Sequence, residues 1–79
     1  MKVMYFVSWY IHNKTTNEWN ATIVDKYSKK SSAEKEWANQ VSTYMDDEQF
    51  DAGVVLLTDS LGNVIESKML IVDAPDVQG

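Results

Sequence analysis

The sequence predicts an α+β fold, a single domain in which four strands and one helix follow one another as ββαββ. Four segments bounded by turn-forming residues show strand-like alternation or continuous apolar runs, and one segment between the second and third shows apolar residues at helical spacing. The chain has 79 residues, 44% of them hydrophobic, which suffices for one core. We expect one domain over residues 1–72 and a flexible C-terminal tail over residues 73–79.

The first half of the chain predicts a hairpin followed by the helix. All odd positions from Val3 to Ile11 are apolar, residues 13–18 are turn-forming, and apolar and polar residues alternate over residues 19–27. The helix should begin at a capping box, Ser31-Ser32-Ala33-Glu34, and end near Asp46. Its apolar stripe should cross the sheet and contact Tyr5, Val7, Trp9, Ile23 and, depending on register, Val54 and Leu56.

The second half predicts two more strands. Residues 52–57 are apolar at nearly every position, as in a central strand, and residues 59–63 form a turn in which Gly62 suits a positive φ angle. The last strand covers residues 64–72. Because the first and third strands are the most apolar, we expect the antiparallel order 2-1-3-4 with the helix on one face.

No motif in the sequence indicates catalysis, a metal site or a cofactor. His12 is the only histidine and there is no cysteine, so neither a zinc site nor a nucleophile with its base can be assembled from familiar spacings. We interpret His12 as a partly exposed polar residue at the end of a strand. The sequence therefore predicts a non-enzymatic protein.

Charge points to proteins rather than nucleic acids as partners. The net charge is −5, and the seven basic residues are all lysines. An acidic cluster follows the helix, and three interpretations of it remain: helix termination with solubility, contact with a basic partner, or a metal site. Its residues are Asp46, Asp47, Glu48 and Asp51. A lysine patch from Lys26 to Lys35, beside Tyr27, leaves weak binding of single-stranded nucleic acid as an alternative.

The sheet face opposite the helix is the main candidate for an interface. Apolar residues on that face have no cover within the predicted fold, and contiguous exposed apolar area usually marks an interaction site. Homodimerisation, a heterologous protein partner and burial within the monomer are the three interpretations. The residues expected on this face are Met4, Phe6, Tyr10, Val55 and Leu57.

The first strand, read as Tyr-Phe-Val-Ser-Trp-Tyr, together with the hairpin, the amphipathic helix and the strand Val-Val-Leu-Leu, resembles short uncharacterised proteins encoded by bacteriophages and prophages. The resemblance implies a small protein that binds and inhibits a host protein, with the acidic cluster presenting carboxylates where phosphates would lie. A structural, homo-oligomeric subunit without an inhibitory role is the alternative. No segment is apolar enough to span a membrane, and we expect a cytoplasmic protein.

Overall fold

The computed structural model describes residues 1–71, with Ile71 described by its backbone alone, and it confirms the predicted α+β layout. One antiparallel sheet has the strand order β2-β1-β3-β4, and a single helix connects β2 to β3. The predicted tail over residues 73–79 lies outside the described residues. The elements are β1 (Tyr5–Asn13), β2 (Glu18–Tyr27), α1 (Lys30–Met45), β3 (Phe50–Asp59) and β4 (Val64–Ile71).

The core lies between α1 and the two central strands. Val7 and Leu57 are directly opposite each other on β1 and β3, and both pack against Ala33 of the helix. Because Ala33 has a small side chain, the helix backbone can approach the sheet closely there. Half-buried side chains of β1, β2, β4 and the helix surround this centre: Tyr5, Val24, Tyr27, Trp37 and Ile65.

The C-terminal half of α1 is held over the sheet by aromatic contacts. The ring of Tyr44 lies 5.2 Å from that of Trp9 on β1 and 5.1 Å from that of Phe50 at the start of β3, measured between centroids. Tilted and edge-on arrangements of this kind are favourable for aromatic pairs. In the described chain, no helix is long and apolar enough to span a membrane.

The predicted capping box at Ser31 and Glu34 is wrong. The helix begins at Lys30, and its N-cap is Lys29, whose extended backbone (φ −111°, ψ 128°) precedes the first turn. Ser31 is already the second helical residue, so its hydroxyl is two residues too far along the chain to serve as the cap. Lys29 makes no capping hydrogen bond from its side chain to any residue that the structure describes.

The register of the β1–β2 hairpin decides which side chains of β2 face the helix. Asn13 pairs with Glu18 around the loop of residues 14–17, and this pairing puts the odd residues of β2 up to Ile23 opposite even residues of β1; a bulge at Val7 and Ser8 reverses the parity beyond that point. Ile23 is therefore opposite Ser8, on the face away from the helix, and 68% exposed. The prediction that the helix covers Ile23 is wrong, because paired residues share a face and the turn sets the pairing.

The register of β1 and β3 corrects a second placement. Val55 pairs with Trp9 and Leu57 with Val7, so both lie beneath α1 with no exposed surface. The prediction that Val55 and Leu57 belong to the uncovered face is therefore wrong.

The uncovered face instead receives the alternate residues of β3, Val54 opposite Tyr10 and Leu56 opposite Ser8. The expectation that the helix contacts Val54 and Leu56 is wrong for the same reason: the two strands pair even with even positions.

Gly53 allows β1 and β3 to approach closely near Ile11. Its φ angle is +145°, and a Cβ atom there would lie 2.3 Å from the carbonyl oxygen of Tyr10 and 2.9 Å from Cα of Ile11. Only glycine fits this position. Gly62, in the turn before β4, has φ +92°, which confirms the predicted positive angle.

Candidate functional site

The candidate site is the face of the sheet opposite α1, here called the open face. Strand pairing arranges its residues in four rows, each read from β2 through β1 and β3 to β4. The first row is Lys26, Phe6, Thr58 and Val64; the second is Ile23, Ser8, Leu56 and Ser67; the third is Ala21, Tyr10, Val54 and Met69. The fourth row contains Trp19, His12 and Ala52.

The predicted interface residues of β1 lie on this face. Phe6 and Tyr10 occupy its first and third rows, and Met4 continues the alternation one residue before β1 begins. The backbone of Met4 is held by Ser60 of the β3–β4 turn: the Met4 amide donates to Ser60 Oγ at 3.0 Å, and the Ser60 amide donates to the Met4 carbonyl at 2.9 Å. Three of the five residues predicted for this face, Met4, Phe6 and Tyr10, therefore lie on it.

Both edge strands expose large apolar side chains on the open face, in addition to the apolar side chains that they pack beneath the helix. On β2, Trp19 and Ile23 face outward and are 64% and 68% exposed, whereas Thr22 alternates to the other side. On β4, Met69 faces outward with 67% of its surface exposed, while Lys68 pairs with Val55 on the helix side. In a two-layer domain whose outer face is solvated, polar side chains would be expected at these outward-facing positions.

The second row of the open face alternates large and small side chains. Ser8 lies between Ile23 and Leu56 across the strands and is only 8% exposed, although no element of the described chain covers it. Its burial follows from the larger side chains around it, including Tyr10 two residues along β1. The surface is therefore contoured, with hollows at the small residues and projections at the large ones.

The open face is nearly free of net charge. Among the residues of the four rows, Lys26 and His12 are the ones that can carry a positive charge, and they lie in the first and last rows. His12 is balanced by Asp51, the residue that precedes Ala52 on β3. The charge of −5 is thus carried elsewhere on the molecule.

His12 is held from both ring nitrogens at the end of the open face. Nδ1 donates to Oδ1 of Asp51 at 2.5 Å, and Nε2 donates to Oδ1 of Asn17 at 3.1 Å. The imidazole ring also lies 5.2 Å from that of Trp19. Because both partner atoms are oxygens, both hydrogen bonds form together only when each ring nitrogen carries a hydrogen, so these contacts favour the protonated imidazole.

The pKa values of the pair are displaced in opposite directions. The hydrogen bond to Asp51 raises the pKa of His12, assisted by the hydrogen bond to Asn17, and outweighs the opposing effect of burial. The hydrogen bond from His12 lowers the pKa of Asp51. With its two nitrogens engaged, this imidazole offers none to a substrate or a metal ion, and its evident effect is to join β1, β3 and the hairpin loop.

The sequence interpretation of His12 missed this pair, although a signal for it was present. In the order 2-1-3-4, antiparallel pairing brings the end of β1 beside the start of β3, so a residue near position 12 must neighbour one near position 51. Asn17 adopts φ 58°, a turn conformation in which its side chain reaches His12. The side chain of His12 is 17% exposed.

The predicted acidic cluster divides into two parts. Asp46 is the C-cap of α1, and the Asp47 carboxylate accepts a 2.9 Å hydrogen bond from the amide of Gln49. Asp46 and Glu48 are exposed, whereas Asp51 is engaged with His12. We call Asp46, Asp47 and Glu48 the acidic helix end. Within residues 1–71, no three histidine, cysteine or acidic side chains are arranged to hold a metal ion.

The lysine patch surrounds the start of α1. Lys26, Lys29, Lys30 and Lys35 are all exposed. Tyr27, the aromatic residue expected beside them, packs against the core instead. It is therefore poorly placed to stack on a nucleic-acid base alongside the lysines.

Comparison of the chain with protein-family models, with curated proteins and with solved structures found no match in any of the three.

Proposed function

We propose that this chain is a non-enzymatic protein-binding module whose contact surface is the open face. The observation that carries the proposal is the exposure of large apolar side chains on the edge strands of this face, where Trp19, Ile23, Val64 and Met69 are each between 61% and 68% exposed. This apolar area is removed from water only when another molecule covers the open face. The partner we propose is a protein surface of matching apolar character.

The composition of the open face supports a protein partner over a nucleic acid. Tyr10, Phe6 and Trp19 supply the aromatic area that is enriched in protein interfaces, and charged residues are nearly excluded. A single-stranded nucleic acid would require several cations along its path, and Lys26 is the one lysine in the four rows.

A matched pair of variants tests this proposal. Ile23→Lys places a charge on the open face, whereas Thr22→Lys places the same charge on the other side of the same strand, and each replaces an exposed β-branched residue. Wild type, Ile23→Lys and Thr22→Lys are immobilised and exposed to host extract supplemented with untagged chain. We expect wild type and Thr22→Lys to retain the same protein and Ile23→Lys to lose it. Equal retention by all three, or by none, would overturn the proposal.

A second candidate function uses the acidic helix end against a basic host protein. Its support is that, in the part of the chain that the structure describes, the one ion pair joins His12 to Asp51, so the acidic helix end is not neutralised internally. Together with the resemblance to phage-encoded proteins, this favours an inhibitor that presents carboxylates to a basic surface. We place either activity in the cytoplasm, and a fluorescent fusion in the host tests that location.

A further inference from the structure

We infer that the partner on the open face is a second copy of this chain, packed sheet against sheet about a two-fold axis. The inference rests on the proposed function and names the occupant of the same surface. Three properties of the open face support it: its size, its lack of charge and the arrangement of its large and small side chains.

The size of the open face suits a small, concentration-dependent dimer. With about 4.8 Å between strands and 3.3 Å per residue, a face four strands wide and four rows long measures roughly 19 by 26 Å. Each copy then contributes about 500 Å², so a face-to-face pair buries about 1,000 Å² before the roughness of the surface is counted. This area reaches the range in which specific interfaces begin.

The charge distribution makes self-association compatible with an acidic protein. Two copies carry −5 each and repel one another at a distance, but the open face itself contributes Lys26 at one end and the balanced pair of His12 and Asp51 at the other. Contact between two open faces therefore buries little unpaired charge, which is the condition that an apolar interface must meet. A strongly basic partner would find no carboxylate here to pair with, apart from Asp51.

The side chains of the two central rows are self-complementary. In the second row Ile23 and Leu56 are large and the two serines small, whereas in the third row Ala21 is small and Tyr10, Val54 and Met69 are large, so three of the four column pairs set large against small and Leu56 meets Val54.

A two-fold axis that lies between the faces and runs across the strands sets the second row of one copy over the third row of the other. Ile23 then faces Ala21 of the other copy, and Ser8 faces Tyr10. A two-fold axis that runs along the strands instead also places large side chains over small ones, because Ser8 then faces Leu56 of the other copy. Because two twisted sheets pack with their strands at an angle of about 30°, these pairs stay opposite each other only close to the axis.

The oligomeric state of the full chain tests this inference. Light scattering behind a sizing column, or sedimentation velocity, is measured from micromolar to millimolar chain concentration. We expect wild type and Thr22→Lys to convert to dimer with increasing concentration. Ile23→Lys should weaken self-association by about a hundredfold or more, because each dimer would bury two unpaired ammonium groups.

A second variant tests shape separately from charge. Ala21→Trp adds apolar area to an exposed position and fills a hollow that receives a large side chain, so we expect it to weaken the dimer although it makes the surface more hydrophobic. Circular dichroism at low concentration establishes that each variant is folded. The inference is wrong if wild type stays monomeric throughout, or if Ile23→Lys and Thr22→Lys dimerise equally. A monomeric wild type that still retains another protein through the open face would overturn this inference and leave the proposed function standing.

Discussion

The indole of Trp37 donates a 2.9 Å hydrogen bond from Nε1 to the backbone carbonyl of Val55, and so joins the helix to a central strand. The bond fixes the position of α1 along β3, because a directional contact specifies a register that apolar packing alone leaves loose. The acceptor, Val55, lies on β3. The register of β3 against β1 places Val55 and Leu57 beneath the helix rather than on the open face.

Removing this hydrogen bond should lower stability by a small, measurable amount. Trp37→Phe keeps an aromatic ring but loses the donor, and we expect the free energy of unfolding to fall by about 1 kcal/mol more than for Trp9→Phe. Trp9 is the matched control because its ring also lies beneath α1, against Tyr44, but donates no hydrogen bond to any residue within 1–71. Urea denaturation followed by circular dichroism gives both values. Equal losses would show that the hydrogen bond contributes nothing.

The His12–Asp51 pair should make stability depend on pH in a defined window. The pKa of His12 is raised from 6.5, so its contribution is complete below pH 6.5 and is lost as the pH rises through the folded value. The pKa of Asp51 is lowered from 3.8, so its contribution is present above pH 3.8 and is lost as the pH falls through the folded value. The stabilisation from the pair is therefore greatest between these two values.

Nuclear magnetic resonance titration of the imidazole checks this directly. We expect the pKa of His12 to lie above 6.5 in wild type and to fall in Asp51→Asn, which removes the carboxylate that raises it. In Asn17→Ala the pKa should fall less, since the hydrogen bond to Asn17 raises it less than the hydrogen bond to Asp51 does. An Asp51→Asn titration curve that coincides with wild type would refute the pairing.

Replacing Gly53 should damage the fold far more than replacing Gly62. In Gly53→Ala the new methyl group would meet the backbone of β1 at Tyr10 and Ile11, and we expect a loss of about 3 kcal/mol or more. In Gly62→Ala the added atom meets nothing within 4 Å, so only the cost of a positive φ angle remains, about 1–2 kcal/mol. Thermal unfolding of both variants measures the difference, and similar melting temperatures would contradict it.

Charge reversal at the acidic helix end should separate partner binding from folding. The triple variant Asp46→Lys, Asp47→Lys, Glu48→Lys places cations at the negative end of the α1 dipole, so we expect stability to be maintained or raised by about 0.3–1 kcal/mol per favourable charge. Capture of a basic host protein should be abolished. If the reversed protein retains the same partner as wild type, the acidic contact is refuted.

Added salt should distinguish the two proposed contacts. Self-association through the open face opposes the repulsion between two acidic copies, so screening should strengthen it. A contact between the acidic helix end and a basic protein should weaken under the same change. Sedimentation and binding measured across one salt series give both trends, and a dimer that dissociates with salt would argue against the apolar interface.

The local pattern of the sequence predicts the elements and their order, because alternation and helical spacing depend on neighbours along the chain. It does not predict which face each strand presents, since that depends on register between segments. Val55 and Leu57 are misplaced for this reason, and Ile23 as well. The pairing of His12 with Asp51 spans β1 and β3 and follows from strand order rather than from any motif.

The hairpin loop of residues 14–17 carries a consequence for how this molecule could diverge. Its length pairs Asn13 with Glu18, and thereby sends Trp19, Ala21 and Ile23 to the open face. One inserted residue that shifted this pairing by a single position would turn those side chains toward the helix and bring Asn20 and Thr22 outward. A single codon gained or lost in a surface loop could therefore exchange the side chains that the first half of β2 presents to the open face, and make that face more polar.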